Sequence, residues 1–469
     1  MNTFRFDQHS KRPIPLDPHF TPIILGNHAF EKAVKSSTHA IKIGIALERN
    51  QGQISTFYAM IFGDEDNQHE ANYRYVERLI KTLLWTKGGF RIYLSCPRDL
   101  GMYIKSVYHE EGARAFDVRF MSRVYDQPFE IKLMDFHHLP QTYELTKPIG
   151  RHMNGCRIGF DAGGSDRKVS AVIDGETVFS EEVVWHPKLM ENPDYHLAGI
   201  KDSIYRAASH LPRIDGIGVS AAGVYVDNEV KVASLFIKVP DDLFEQKVKR
   251  LFIDLAHELG DVPIEVANDG DVTALAGAMS KNVGRVMGIA MGTSEAAGYV
   301  DQEGHITGWL NELAFVPIDY HAHAMVDEWS GDRGCGVKYF SQDAIIKLAE
   351  AGGIHFDASL SPAEKLKSVQ KMMEHQDPVA QEIYETMGVY LGYGVAYYAS
   401  FYDIEHVLVL GRVLSGKGGE MMIDRANHLL HDEFPDLAKR ITIELPDEKS
   451  RRVGQSIAAA SLPEIKKRG

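Results

Sequence analysis

The chain has 469 residues, of which 44% are hydrophobic and 25% are charged, and its formal net charge at pH 7 is -14. This length and composition are typical of a soluble globular protein with two or three domains, and the negative charge argues against nucleic acid or an anionic membrane as a general partner. Its three scattered cysteines do not form a disulfide framework, and neither a signal peptide nor a membrane-spanning apolar run is recognisable, so we expect a cytoplasmic protein.

The first third of the chain shows alternating strand and helix patterns. Residues 1 to about 40 are rich in Pro, His and Lys and are interpreted as an extended arm. The patterns predict strands over 41–47, 54–62, 90–94 and 115–120, and helices over 72–85 and near 98–110. No turn in this part combines an acidic residue with glycines. We therefore interpret residues 1–150 as an accessory α/β domain that serves as a lid or a dimerisation surface.

The segment 157–173 predicts a strand, a glycine turn and a returning strand. Asp161 lies at the end of the first strand, and Gly163, Gly164 and Ser165 form the turn. Glycines in such a turn let backbone N–H groups converge on an anion, and the adjacent carboxylate is suited to hold Mg²⁺ directly or through water. An ordinary hairpin with a Gly-Gly turn would show the same pattern, so the interpretation depends on the segments that follow.

Two later strands also end in small or polar residues. A helix near 195–210 precedes a strand over 214–220, which leads into Ala221-Ala222-Gly223, and a helix near 241–259 precedes a strand that ends at Asn268 and Asp269. Ligands bind at the carboxyl ends of strands in α/β sheets, so these residues are candidates for ligand contacts. The alternative is that Asp269 or Asp271 only caps the following helix, which would not account for the asparagine.

Two glycine-rich segments follow in the second half of the chain. The strand–turn–strand pattern over 286–300 contains Gly292-Thr293-Ser294, which offers backbone amides and two hydroxyls. A buried strand over 407–410 enters a glycine-rich loop at Gly411 and then a helix, a pattern that suits a nucleotide. Two glycine turns with a carboxylate-tipped strand between them indicate two lobes that hold a phosphate chain.

Together these segments resemble the sugar kinases of the actin-like ATPase superfamily, and most closely the ROK group, over residues 157 to about 462. Four segments match the family's motifs in the family's order: Asp161 to Ser165 the first phosphate loop, Asn268-Asp269 the sugar-binding asparagine and the catalytic base, Gly292 to Ser294 the second phosphate loop, and Gly411 the adenosine loop.

The resemblance implies an α/β fold with two ribonuclease-H-like lobes of the actin/hexokinase type around a cleft. We expect the accessory domain at 1–150, an N-terminal kinase lobe at 151–285, and a C-terminal lobe with the adenosine loop at 286–469. The implied activity is ATP-dependent phosphorylation of a hydroxyl on a hexose or modified hexose, with ATP and Mg²⁺ as cofactors and a homodimer as the assembly. Asp269 would be the general base, Asp161 would hold Mg²⁺, and Gly223, Asn268 and Glu312 would contact the sugar.

The chain also departs from the family's pattern. The family's zinc-binding histidine is Phe315 here, only Cys335 remains of its cysteine cluster, and a sugar-binding glutamate is replaced by Val337. One cysteine cannot complete a structural zinc site, so we expect none, and the changes favour a sugar pocket less polar than one for glucose. Asp166 follows the first phosphate loop, where these kinases often carry a polar or basic residue.

Two alternatives stay open at this point. A sugar-responsive regulator of the same family would bind DNA through an N-terminal winged helix, which the net charge and the α/β pattern of residues 1–150 disfavour. A non-catalytic sugar- or nucleotide-binding protein is favoured by Phe315, Val337 and Asp166 and disfavoured by the intact Asp269 and phosphate loops. We expect neither nucleic acid nor a membrane as a partner.

Overall fold

The computed structural model describes residues 3–145, 148–446 and 448–465, without the side chains of 448–453. Contacts divide the chain into two compact units. The first unit comprises Met1–Leu145, Ile289–Ala296 and Trp309–Leu445, and the second unit comprises Thr146–Gly288, Ala297–Gly308 and Pro446–Gly469. The three-part division at residues 150 and 285 stays a prediction.

The described residues form a mixed α/β fold. The strands are β1 Ile41–Glu48, β2 Ile54–Ile61, β3 Arg91–Ser95, β4 Glu130–Leu133, β5 Cys156–Ala162, β6 Asp166–Ile173, β7 Glu176–Val184, β8 Gly216–Ala221, β9 Val224–Val226, β10 Glu229–Val232, β11 Ile264–Asn268, β12 Val286–Met291, β13 Glu295–Val300, β14 His406–Leu410 and β15 Thr442–Glu444. The helices are α1 Ile23–Lys35, α2 His69–Lys87, α3 Arg98–Val107, α4 Ala115–Tyr125, α5 Pro193–Ala208, α6 Asp241–Leu243, α7 Leu251–Glu258, α8 Asp269–Lys281, α9 Gln342–Ala351, α10 Pro362–Glu374, α11 Pro378–Tyr398, α12 Lys417–Glu433, α13 Pro435–Ala438 and α14 Glu448–Ala460.

The N-terminal part of the first unit is built on a four-stranded sheet in the order β2-β1-β3-β4. Strand β1 is antiparallel to both β2 and β3, whereas β3 and β4 are parallel. Helix α2 packs against β1 and α3. The alternating pattern of this part therefore folds into one mixed sheet with helices.

The second unit is built on a five-stranded sheet in the order β11-β8-β5-β6-β7. Strands β5, β8 and β11 are parallel, and β6 and β7 continue the sheet in antiparallel pairing. Helix α14 packs closely on β5 and β8, where a Cβ at Gly159 or Gly218 would overlap the backbone carbonyl of Ser456 or Ala459. Glycine in the two central strands therefore lets the last helix cover the sheet.

Most of the predicted elements are confirmed, but two are wrong and one is interrupted. The proline-rich arm contains α1, whose prolines precede the helix and whose apolar positions Ile23, Phe30 and Val34 are buried. The predicted strand at 115–120 is the start of α4, because the buried positions recur at helical spacing beyond that short window. The predicted helix at 241–259 is broken by a π-helical segment at Phe244–Val248.

The cysteines and the helix lengths add two further observations. All three cysteines are free thiols. Among the described residues, no helix combines the length and the apolar character that crossing a bilayer requires.

Candidate functional site

Three parallel strands of the second unit end side by side. The register pairs Asp161 of β5 with Ser220 of β8, and Ala221 of β8 with Asn268 of β11. The carboxyl ends of these strands therefore share one edge of the sheet, where α/β proteins bind ligands. This edge brings together Asp161, the turn at Gly223, and the pair of Asn268 and Asp269.

Asp161 lies buried at this edge, with 7% of its surface exposed. Its Oδ1 accepts a hydrogen bond from the hydroxyl of Ser220 at 2.8 Å. Burial raises the pKa of Asp161 to about 6, and the charge of Asp269 adds to the rise while the Ser220 hydroxyl opposes it. The group is therefore mostly ionised at neutral pH, and its oxygen donors are of the type that Mg²⁺ prefers.

Asn268 holds the start of helix α8. Its Oδ1 accepts a hydrogen bond from the backbone N–H of Gly270 at 2.7 Å, and its Nδ2 donates to the carbonyl of Gly223 at 2.8 Å. The asparagine, rather than either acidic residue considered for this role, caps the helix. Because an amide has two donors and two lone pairs, Asn268 keeps one N–H and one lone pair for a ligand.

Asp269 is the first residue of α8 and is partly exposed. Burial raises its pKa, whereas the N–H of Gly270 and the charge of Lys188 act in the opposite direction. A carboxylate with a raised pKa at a ligand-binding edge is suited to accept a proton.

The first glycine turn, Gly163 to Ser165, is hydrogen-bonded to Trp185, the residue directly after β7. The indole Nε1 donates to the carbonyl of Gly163 at 2.7 Å, and the backbone N–H of Trp185 donates to the carbonyl of Ser165 at 3.1 Å. These bonds use carbonyl groups of the turn and leave its backbone amides as potential anion donors.

The first two residues after this turn place a negative charge against it and a cation that is paired with α5. The carboxylate of Asp166 lies against Gly163, since a Cβ at that glycine would be 2.9 Å from Asp166 Oδ1. Arg167 bonds Ser203 and Asp202 of α5, each at 2.8 Å. The charged side chain that directly follows the turn and lies against it is therefore the negative Asp166.

Lys188 reaches this turn from a different segment and was missed in the sequence. A Cβ at Gly164 would be 3.3 Å from Lys188 Nζ. Lys188 lies in the short 3-10 turn Pro187–Leu189 between β7 and α5. No motif marks that segment, and only the fold shows that it borders the glycine turn.

The second glycine turn lies in the first unit beside Gly411. Strands β12 and β14 are neighbours in a sheet of order β13-β12-β14-β15. Arg412 Nη2 donates to Thr293 Oγ1 at 2.6 Å, and the N–H of Gly292 donates to the carbonyl of Ser294 at 3.0 Å. Gly411 has φ +105°, and a Cβ there would overlap the carbonyl of Met291. The structure therefore joins the second turn to the predicted adenosine loop.

The remaining glycines of that loop have a packing role. A Cβ at Gly418 would overlap the ring of Tyr384, and one at Gly419 would overlap the carbonyl of Leu414. Both glycines lie in the first turn of α12, which packs against α11. Close packing thus explains two glycines that the sequence analysis related to nucleotide access.

Glu312 lies in the first unit, where its backbone N–H donates to the carbonyl of Trp85 at 3.0 Å. The charge of Glu312 acts on the carboxyl group of Glu295. Glu295, directly after the second turn, is 5% exposed, and its Oε2 has no hydrogen-bond partner among the described residues. Burial raises the pKa of Glu295 to about 8, and the charge of Glu312 adds to the rise. Glu295 is therefore mainly neutral at pH 7.

Replacing Glu295 by glutamine should increase stability more as the pH rises. Because the pKa of Glu295 is raised in the folded state, its protonated side chain contributes fully to the free energy of unfolding at low pH. This contribution is lost as the pH rises through about 8. Glutamine keeps a neutral side chain, so the free energy of unfolding of the variant should exceed that of wild type increasingly between about pH 5 and about pH 8. Urea unfolding across this range measures the difference. The exposed Glu374→Gln is the control, and parallel curves for Glu295→Gln and wild type would contradict the prediction.

Phe315, at the position of the family's histidine, packs in an aromatic cluster. Its ring centroid is 4.2 Å from that of Trp85, 5.4 Å from Phe116 and 5.5 Å from Trp329. Only 4% of its surface is exposed. The aromatic side chain thus joins the loop to helices α2 and α4 of the same unit.

The segment that resembles the family's cysteine cluster is held by buried ion pairs. Asp332 accepts from Arg78 at 2.7 and 3.2 Å and from Arg114 at 2.8 Å, and Lys81 Nζ lies 3.4 Å away. Although burial opposes ionisation, these cations hold the pKa of Asp332 well below its usual range. Within the described ranges, no group of three or more His, Cys, Asp or Glu side chains is arranged to hold a metal ion. Ion pairs from α2 and from the residue preceding α4 therefore fix this loop.

Comparisons with known proteins agree with this architecture. The ROK hexokinase from Thermus thermophilus superposes with a TM-score of 0.52 at 16% identity, covering 66% of this chain and 97% of that chain. A ROK family transcriptional regulator, a homologue of the E. coli MLC protein, superposes with a TM-score of 0.52 at 17% identity, covering 66% of this chain and 78% of that chain. These likenesses confirm the predicted α/β class of the hexokinase type.

A search of curated protein sequences found no match. The sequence pattern of the ROK family matches residues 157–449, which is more than half of the chain and includes every residue predicted for the site. The chain therefore belongs to the ROK family.

Proposed function

We propose that this protein transfers a phosphoryl group from ATP to a hydroxyl of a hexose or modified hexose. The observation that carries the proposal is the shared strand edge of the second unit, where Asp161 and Asp269 lie at the ends of β5 and β11. Phosphoryl transfer requires positioned acceptors, charge neutralisation and a base. Beside a glycine turn, this edge offers one carboxylate suited to a metal ion, Asp161, and one suited to act as a base, Asp269. Membership of the ROK family supports the same chemistry.

The proposed roles follow from the local chemistry of each residue. Asp269 accepts the proton of the sugar hydroxyl as its oxygen bonds to phosphorus, and the bond from phosphorus to the ADP oxygen breaks. Asp161, with the Ser220 hydroxyl beside it, fits the oxygen ligands of Mg²⁺. When bound, Mg²⁺ neutralises charge on the phosphate oxygens.

The proposal assigns the phosphates to the amides of the two glycine turns, Gly163 to Ser165 and Gly292 to Ser294, and the adenosine to Gly411. Asn268, Gly223 and Glu312 are proposed to contact the sugar. A buried polar group left unmatched by a wrong epimer is costly, so these contacts would select the substrate. The cytoplasmic location and the homodimer also belong to this proposal, and light scattering measures the latter.

ADP release with a panel of hexoses, deoxyhexoses and amino sugars tests the proposal. We expect Mg²⁺-dependent ADP release with at least one sugar above the rate with ATP alone. A best substrate other than glucose would agree with the less polar pocket that we expect. Plain glucose as the best substrate would contradict the expectation of a less polar pocket.

A non-catalytic binding protein is the second candidate, because the carboxylate of Asp166 lies against the first glycine turn. ATP binding without transfer to any sugar would favour it over the kinase.

A further inference from the structure

Lys188 projects from a segment whose backbone is fixed. The buried ring of His196 contacts the carbonyl of Pro187 through Nε2 at 3.0 Å, and the buried Trp185 bonds the first glycine turn. Both contacts hold the backbone directly before Lys188, while the lysine side chain itself is exposed. The ammonium is therefore attached to a rigid base and is open to a ligand.

The ammonium lies at the glycine turn and within electrostatic range of Asp269. A Cβ at Gly164 would be 3.1 Å from Lys188 Cε and 3.3 Å from Nζ. The charge of Lys188 also stabilises the ionised form of Asp269. One cation thus influences both the turn proposed to bind phosphate and the proposed base.

The two cations that follow the turn in sequence have carboxylate partners, and the charge of Lys168 also stabilises the ionised form of Asp161. Arg167 pairs with Asp202 at 2.8 Å, and Lys168 Nζ lies 3.7 Å from Glu182. Within the part of the chain that the structure describes, no carboxylate lies at ion-pair distance from Lys188. Its charge is therefore available to an anion.

We propose that Lys188 is a catalytic residue that contacts the transferred phosphoryl group between the first glycine turn and Asp269. This inference rests on the proposed kinase function. The lysine remains protonated throughout: no bond to it forms or breaks, and its ammonium hydrogen-bonds the non-bridging phosphate oxygens while the sugar oxygen replaces the ADP oxygen on phosphorus.

The electrostatics of the site explain why a cation is needed there. Asp166 lies against the turn, the charges of Asp269 and Asp166 both act on Asp161, and the three carboxylates together oppose the binding of a triphosphate. A positioned ammonium offsets this repulsion and stabilises the charge that spreads over the phosphoryl oxygens in the transition state.

Lys188→Ala and Lys188→Arg test the proposal, with Lys201→Ala as the matched control. Lys201 belongs to the same unit but pairs with Glu258 on the surface of α5. We expect Lys188→Ala to lower kcat by about 10²-fold, as for the loss of one preorganised donor, with a smaller change in the KM for the sugar. Lys188→Arg should recover part of kcat, and Lys201→Ala should resemble wild type. Because Lys188 is exposed, thermal unfolding should not change.

The pH profile separates a catalytic from a structural role. The charge of Lys188 acts on Asp269, and the charge of Asp269 in turn raises the pKa of Asp161 and of Tyr225. The positive charge of Lys188 lowers the pKa of Asp269, so removing the lysine should raise that pKa further. The acid limb of the profile of kcat/KM should therefore move to higher pH in Lys188→Ala and stay in place in Lys188→Arg.

The outcomes distinguish this inference from the proposed function. If wild type transfers phosphate and Lys188→Ala has the kcat and pH profile of Lys201→Ala, the role of Lys188 is wrong and the kinase function stands. If wild type binds Mg²⁺–ATP without transfer, an affinity at least tenfold weaker in Lys188→Ala than in Lys201→Ala would support the phosphate contact, and equal affinities would overturn it. If wild type neither binds ATP nor transfers phosphate, both are overturned.

Discussion

Asp269→Asn is expected to lower kcat by about 10²-fold or more while the affinity for ATP stays close to that of wild type. Asparagine matches the shape of aspartate and keeps an oxygen that can accept the hydrogen bond from the N–H of Gly270. It cannot take up the proton that the sugar hydroxyl releases. The substitution therefore removes proton transfer and leaves the residues around the phosphates in place. Steady-state kinetics with the best sugar and calorimetric titration with an ATP analogue measure the two effects.

The control for this prediction is Asp254→Asn, the same substitution on the exposed surface of α7 in the same unit. It changes the net charge equally and should leave kcat unchanged. An Asp269→Asn variant that turns over like Asp254→Asn would rule out the assignment of the base.

Asp332→Asn is expected to reduce the free energy of unfolding by about 3–5 kcal/mol, as for a buried ion pair that loses one partner. The carboxylate is 6% exposed and is bonded by Arg78 and Arg114, with Lys81 at 3.4 Å. An amide removes the negative charge and leaves three buried cations with one fewer anion. Chemical unfolding of the full chain at neutral pH measures the loss.

The acid limb of stability gives a second test of the same cluster. Because the pKa of Asp332 is held well below its ordinary value, its contribution is present above about pH 4 and is lost as the pH falls toward the folded-state pKa. Asp332→Asn should therefore lose less stability on acidification than wild type. The control is Asp436→Asn, which breaks an exposed pair with Lys439. Equal unfolding midpoints for the two variants would contradict a structural role of the cluster.

The sequence was most informative where the chemistry is local. The strand end at Asp161, the adjacent glycine turn and the Asn268-Asp269 pair each lie within a few residues, so their patterns are visible in the chain. The parallel pairing of β5, β8 and β11 then brings them to one edge. The pattern does not show which side-chain atoms are already engaged, and the capping role of Asn268 was therefore missed.

The ion-pair cluster could not be predicted because its partners are far apart in sequence. Arg78 and Asp332 are separated by 254 residues, and each belongs to a segment that looks ordinary by itself. The same holds for Phe315, whose role as a packing residue depends on Trp85 of α2. An ion-pair cluster at Asp332 and aromatic packing at Phe315 therefore hold the two segments that resemble the family's zinc motif.

Lys188 was missed for a different reason. It lies in a three-residue 3-10 turn with no periodic pattern, and its position depends on the contact between Trp185 and the glycine turn. Arg167 and Lys168 are closer to the turn in sequence, and they pair with Asp202 and Glu182. Proximity in sequence did not reveal that Lys188 also borders the turn.

The most direct test of the central claim follows the γ-phosphate itself. Wild type and Asp269→Asn are incubated with Mg²⁺ and ATP labelled in the γ-phosphate, together with the sugar panel, and the products are separated. We predict that wild type moves the label into a sugar phosphate ester and that Asp269→Asn leaves it almost entirely in ATP. Label that stays in ATP with both proteins, or that enters the same sugar ester at equal rates with both, would contradict the assignment of this strand edge as a phosphoryl-transfer site.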